Sequence, residues 1–354
     1  MIKVLIVDDS ATVRMLLTQG LSLDPQIEVV GASPDPFSAR DKIAETDPDV
    51  LTLDVEMPRM DGLEFLRRIM TYHPIPVIMV SALTEKGKQI TFDALDLGAV
   101  DYITKPSGSH GAAGLNEMLV ELRKKIKGAA CVNMASLAKN LSQKPLLRTG
   151  AKSRSTAMFE TTEKVIAIGA STGGTTAIRD ILSRLPGDMP GIVIVQHITP
   201  GFSAMFADRL NRITNLQVQE AVDGDTIVTG RVLVAPAMLQ TRVRRSGGTY
   251  LVECRPGEPV SSARPSVDVL FESVAANVGA NSLGIILTGM GSDGANGMLA
   301  MRRSGAMTIA QDEASCCVYG MPKAAFDLGA AQKQVSLENM AQTMTDLVKS
   351  QWKK

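Results

Sequence analysis

The sequence carries no excess of charge: Lys and Arg together number 37, as do Asp and Glu. That balance leaves no net positive field to attract nucleic acid, so no nucleic-acid partner is expected. Cysteine is sparse, and Cys131, Cys254, Cys316 and Cys317 show neither zinc-ligand spacing nor the density of a disulfide scaffold. They read as buried or incidental thiols. No apolar stretch reaches membrane-spanning length, and Met1 leads into alternating apolar residues and the acidic pair Asp8 and Asp9 rather than a signal peptide. The expected location is cytoplasmic, with no integral membrane segment. Histidine is scarce as well: in the second half of the chain His197 stands alone, which confines any imidazole chemistry there to one residue.

What the chain does have is apolar content for two cores, since 354 residues at 45% hydrophobic exceed one typical core. In the first part, Lys3–Val7, Ile27–Ala32, Val50–Leu53, Pro76–Val80 and Ala99–Ile103 read as strands. Helical stretches follow near Thr12–Leu21, Pro36–Glu45, Leu63–Met70, Lys88–Leu97 and Leu115–Ile126. This βα repetition predicts an α/β fold whose first sheet is five-stranded, mostly parallel and covered on both faces. In such sheets chemistry collects at the carboxyl ends of the strands, where Asp8, Asp9, Asp54, Ser81 and Lys105 all fall. Those residue types suit phosphoryl transfer to a carboxylate. Asp8, Asp9 and Asp54 can hold a hard cation such as Mg²⁺ through oxygen ligands, with Asp54 as the acceptor, while Lys105 and the Ser81 hydroxyl reach the phosphoryl oxygens.

The runs VDDS at Val7–Ser10, LDVEMPRMDG at Leu53–Gly62, MVSALT at Met79–Thr84 and GAVDYITKP at Gly98–Pro106 closely resemble the motifs of response-regulator receiver domains. The resemblance covers residues 1–125. It implies that a histidine kinase phosphorylates Asp54, that Asp8 and Asp9 serve Mg²⁺, and that Ser81 and Tyr102 report the phosphorylated state. Beyond it, both periodicities fade and KSRSTAMFETTEK reads as a polar linker. The linker is placed over residues 126–161, with a short helix over Asn133–Leu141.

From residue 162 a second α/β pattern runs to residue 350, and it is expected to be doubly wound and mostly parallel. Val165–Ile168 reads as a strand, Thr175–Leu185 as a helix and Gly191–Gln196 as the next strand. In GASTGG, small residues around Ser171 fit a tight strand-to-helix turn that exposes a hydroxyl, as in a nucleophile elbow. A nucleotide-binding loop would use the same parts, although G-x-G-x-x-G spacing and a Walker lysine are both missing; an ordinary turn also fits. His197 ends the strand that follows, and Asp293 lies in the glycine-rich run after Leu283–Leu287. Each has a bland alternative, a structural histidine and a helix-capping aspartate. Together, serine, histidine and aspartate at strand ends of one domain have the makings of a nucleophilic site.

IGASTGG at Ile168–Gly174, QHITPGFSAMFADRL at Gln196–Leu210, RPSVDVLFES at Arg264–Ser273, LTGMGSDGANG at Leu287–Gly297 and AQDEASCCVYGMP at Ala310–Pro322 resemble the catalytic domain of chemotaxis protein-glutamate methylesterases. With the receiver included, the likeness spans nearly the whole chain. It implies Ser171 as nucleophile, His197 as general base, Asp293 as its orienting acid, and Thr172 and the Met290 backbone beside the reacting carbonyl. It further implies methylated chemoreceptors as substrates, transient association with membrane receptor arrays, glutamine deamidation by the same chemistry, no cofactor at the catalytic site, and an unphosphorylated receiver that blocks access to Ser171. Two positions depart from the pattern: Gln240 and Ala263 stand where relatives commonly have histidine, which puts local substrate contacts or stability in question. A response regulator whose second domain merely binds receptor is the alternative, and a thiol enzyme using Cys316 is a further one.

Overall fold

The computed structural model describes residues 1–57, 60–82, 84–106, 111–134, 137 and 163–351. The chain divides into two compact units, Met1–Gln143 and Lys144–Lys354. Most of the expected linker at 126–161, and of the short helix at Asn133–Leu141, lies outside the described residues.

In the first unit five strands, β1 (Ile2–Val7), β2 (Ile27–Ser33), β3 (Val50–Asp54), β4 (Val77–Ser81) and β5 (Asp101–Thr104), form one sheet in the order β2-β1-β3-β4-β5. Every neighbouring pair is parallel. The strands β3 and β4 are buried along their full length, which is why they read as unbroken apolar runs rather than as alternation. Helices α1 (Ala11–Leu21), α2 (Pro36–Thr46), α3 (Gly62–Tyr72), α4 (Glu85–Asp96) and α5 (Gly111–Ala129) alternate with the strands. The first four start where a polar side chain caps their free N–H groups: Ser10, Asp35, Asp61 and Thr84 each accept from the first turn. The helix α5 continues past the expected boundary at residue 125 to Ala129.

The second unit is built on a seven-stranded sheet. Its strands are β6 (Val165–Ala170), β7 (Gly191–Gln196), β8 (Gln217–Glu220), β10 (Arg231–Val234), β13 (Ser282–Ile286), β14 (Met307–Gln311) and β15 (Lys333–Val335), and all pairings are parallel. They lie in the order β15-β14-β13-β6-β7-β10-β8. The chain builds outward from β6 through β7 to one edge, then returns to lay β13, β14 and β15 on the other side. The reversal between β6 and β13 opens a crevice at their carboxyl ends. Helices α6 (Gly174–Leu182), α7 (Ser203–Ile213), α8 (Val267–Asn277), α9 (Ala295–Arg303), α10 (Met321–Asp327) and α11 (Leu337–Gln351) accompany the strands. Among them α8 carries Val267, Leu270, Phe271 and Val274 into the core with Val165, Ala167 and Val193.

A three-stranded sheet formed by β9 (Thr226–Ile227), β11 (Gln240–Ser246) and β12 (Thr249–Arg255), in the order β11-β12-β9, was not anticipated from the sequence. Its signal is there: Val243 is buried between exposed Arg242 and Arg244, and the antiparallel β11 and β12 are joined through Gly247 and Gly248, the two-residue turn that hairpins favour. No described helix is long and apolar enough to cross a membrane.

Candidate functional site

In the first unit the parallel strands deliver their carboxylates to one end of the sheet. Asp8 and Asp9 follow β1, and Asp54 closes β3 beside it. One oxygen from each of Asp8, Asp9 and Asp54 lies within 4.8 Å of the others. Asp8 and Asp54 are buried, and the Lys105 ammonium bridges them at 2.9 Å to each. Burial lowers the ammonium's proton affinity, but the two carboxylates outweigh it and hold the Lys105 pKa above the ordinary lysine value. Burial also pushes Asp54 up to about 6; the Asp8 carboxylate adds to this and Lys105 opposes it. Three carboxylates against one ammonium leave a surplus of hard oxygen donors, a set that could hold a divalent cation.

Around this cluster, Ser81 ends β4 and its buried hydroxyl donates to the Ala82 and Gly87 carbonyls. Tyr102 is buried in β5, with the Lys125 ammonium 5.2 Å from its ring centre and 2.7 Å from the Asp101 carboxylate. The structure thus brings Asp8, Asp9, Asp54 and Lys105 together, and turns Ser81 toward the start of α4.

In the second unit the three central strands each contribute one residue. The ladder between β6 and β7 ends with Ala170 opposite Gln196, so Ser171 and His197 are the next residues out on adjacent strands. The Ala170 carbonyl accepts the His197 N–H at 3.0 Å. Asp293 follows β13, on the other side of β6, and its Oδ2 lies 2.7 Å from His197 Nε2. Among the described residues the Ser171 hydroxyl has no hydrogen-bond partner.

Asp293 is 3% exposed and sits at the start of α8. Its Oδ1 accepts from the Ser266 hydroxyl at 2.7 Å and the Asp268 N–H at 3.0 Å, and its Oδ2 also accepts the Val267 N–H at 2.7 Å. A helix N-terminus offers unpaired N–H groups and a partial positive charge, so it suits a carboxylate. Burial by itself would raise the Asp293 pKa; the bond to His197 and the N–H groups of Asp268 and Val267 prevail and hold it below the ordinary aspartate value.

Ser266 and Asp268 were missed as site residues, and Gln240 was noted only as a departure from the family pattern. Asp268, two positions after the Ser266 cap, accepts the Gly297 N–H at 2.7 Å and so ties α8 to α9. Gln240 is buried, accepts the Ser266 N–H at 2.9 Å and donates to the Glu258 carbonyl at 2.9 Å. A glutamine at this position therefore braces the loop that holds Asp293. S266A removes both a donor to Asp293 and the helix cap, and we expect a loss of about 1–2 kcal/mol in urea denaturation.

Backbone donors near Ser171 divide into used and unused. The Ser171 N–H donates to the Thr288 carbonyl at 3.0 Å, so it is committed to the fold. Among the described residues the Met290 N–H has no acceptor, and the Met290 side chain is partly exposed. The Met290 loop lies against Ser171, since a Cβ added at Gly289 would be 2.7 Å from Ser171 Cβ. Thr172 is buried, and its carbonyl accepts the Thr288 hydroxyl at 3.0 Å. Cys316 is buried too; burial, reinforced by the Asp312 carboxylate, pushes its thiol far up and disfavours the thiolate a cysteine nucleophile needs.

A family model described as CheB methylesterase matches residues 166–344, and one described as response regulator receiver domain matches residues 4–111. The protein-glutamate methylesterase/protein-glutamine glutaminase of Syntrophotalea carbinolica is 55% identical over 347 residues, covering 98% of each chain. The protein of the same description from Sulfurimonas denitrificans is 52% identical over 339 residues, covering 96% of each. Among solved structures, the CheB methylesterase catalytic domain of Thermotoga maritima aligns with a TM-score of 0.52 at 32% identity, covering 53% of this chain and 100% of that one.

Proposed function

Since the chain belongs to the CheB methylesterase family and carries a receiver domain ahead of the catalytic one, we propose that it is a phosphorylation-regulated serine hydrolase acting on cytoplasmic chemoreceptor regions. It is a protein-glutamate methylesterase and protein-glutamine glutaminase. The observation that carries the mechanism is the 2.7 Å bond between His197 Nε2 and Asp293, made beside Ser171 at adjoining strand ends. Asp293 accepts a proton-bearing Nε2, which leaves Nδ1 as the basic nitrogen. Nδ1 takes the Ser171 proton as Oγ attacks the glutamyl γ-carbonyl, a contact that tightens when substrate is engaged. The Met290 N–H and Thr172 stand at the developing oxyanion. Collapse expels methanol, protonated from Nδ1, or ammonia when the substrate is glutamine. Water, deprotonated by the same nitrogen, then releases glutamate and restores Ser171.

In the receiver, Asp54 accepts a phosphoryl group from a chemotaxis histidine kinase. Mg²⁺ held by Asp8, Asp9 and Asp54 would supply neutralising charge to that group when bound. Lys105 and Ser81 meet the phosphoryl oxygens, and Tyr102 reports the change through β5. The protein works in the cytoplasm, visiting membrane receptor arrays. Phosphorylation relieves occlusion of Ser171 by shifting a two-state population.

A chain starting at Thr162 is therefore expected to release methanol from methylated receptor faster than the unphosphorylated full-length protein. D54A should abolish stimulation by acetyl phosphate and keep the basal rate. Methanol release with and without the phosphodonor checks both; equal rates for full-length and shortened chains would contradict occlusion.

A further inference from the structure

We propose that Gln196 is a positioning residue that sets the distance between the Ser171 hydroxyl and the His197 imidazole. The inference rests on the catalytic reading of those two residues. Ser171 and His197 stand just past the last rung of the β6–β7 ladder, where one strand turns into α6 and the other leaves in a loop. The His197 N–H to Ala170 carbonyl bond ties β7 back to β6, but among the described residues no backbone bond joins Ser171 itself to His197. The side chain of Gln196 does so instead, because its Nε2 donates to the Ser171 carbonyl at 2.8 Å and to the His197 carbonyl at 3.0 Å. One amide thus joins the backbones of the nucleophile and the base.

Three observations set this amide apart from an ordinary buried glutamine. It is 3% exposed, and among the described residues its Oε1 has no hydrogen-bond partner, so the cost of burying the amide is only partly offset by the bonds it donates. Turning the amide over would set Oε1 against two carbonyl oxygens, so the two bonds to Ser171 and His197 fix its orientation. Gly174 makes the room for it, because a Cβ there would run into Oε1. The Gly174 N–H meanwhile donates to the Ser171 carbonyl at 2.7 Å, gripping the same carbonyl from a second side. The second glycine of STGG and the glutamine before His197 are in this way two halves of one clamp.

The test uses full-length protein activated with acetyl phosphate, and a helical peptide bearing a single glutamate γ-methyl ester as substrate. Q196L keeps the bulk and loses both bonds; kcat is expected to fall by about 10- to 100-fold with KM changed less than about twofold, the signature of a misplaced reacting pair. I192V, one methylene smaller in the same strand, should lower the thermal midpoint and leave kcat as it is, which separates positioning from general loosening of the sheet. If Q196L does not fold, Q196E decides by the same two numbers, since its carboxylate would face the two carbonyls that the amide bonds. Wild-type kcat in either folded variant, or a loss carried by KM alone, would overturn the proposal. S171A is measured alongside: turnover persisting there sinks the catalytic reading itself, whereas an inactive S171A beside a fully active Q196L sinks only the clamp.

Discussion

Substituting Ser171 by alanine is expected to lower methanol release from methylated receptor by about 10⁴- to 10⁶-fold, the range seen when a nucleophile is removed from a serine–histidine pair. The fold should tolerate the change. Among the described residues the Ser171 hydroxyl bonds to nothing, while its N–H and carbonyl bonds to Thr288, Gly174 and Gln196 are backbone contacts that alanine keeps. Thermal midpoint and Asp54 phosphorylation by acetyl phosphate should stay at wild-type values, which assigns the loss to chemistry. H197A should be similarly severe, because no other imidazole exists in this half of the chain.

Asp293→Asn is expected to reduce kcat by about 10⁴-fold with KM nearly unchanged, since the amide cannot hold the imidazole in the same tautomer. Here stability should fall as well. Among the described residues the carboxylate accepts from Ser266, Val267, Asp268 and His197, using both oxygens. An asparagine replaces one of those oxygens by a donor and strands at least one buried N–H or O–H, at a cost of about 1–3 kcal/mol. The sign of the pH effect follows from the depressed Asp293 pKa. The stability it contributes is fully present above the unfolded value of about 3.9 and is lost as pH falls through the lower folded value. In D293N that acid-side contribution should be missing, so the stability gap between wild type and variant should narrow as pH falls from about 3.9 through the lower folded value. Urea titrations at several pH values would show it; parallel curves down to the acid limit would contradict the assignment.

The features that could be read from the sequence are those written in local pattern. Apolar runs placed β1 to β7 and β13 but not β8, β10, β14 and β15, and the polar residues closing the former placed Asp54, Ser81, Lys105, Ser171 and His197. The three-stranded sheet around Gln240 was passed over although its alternation and paired glycines are local signals; they were simply outweighed by the longer apolar runs on either side. Other features had no local signature. The bonds from Gln196 to Ser171 and from Asp268 to Gly297 cross 25 and 29 residues, and nothing in the intervening sequence announces them. Ser266 lies between, since a serine ahead of the apolar run VDVLF is a cap signal, but its bond to Asp293 is visible in the fold alone. The oxyanion donors show the same limit: the family resemblance implies Thr172 and the Met290 backbone beside the reacting carbonyl, and only the fold shows that the Ser171 N–H is already taken by the Thr288 carbonyl.

The most direct measurement is peptide mapping after inactivation by a serine-reactive phosphonate, run on the phosphorylated protein with methanol release followed in parallel. The account predicts one phosphonyl group per chain, carried by the peptide containing Ser171, with turnover falling in proportion to labelling. Full labelling of Ser171 with turnover intact, or inactivation with the adduct on any other residue, would contradict it.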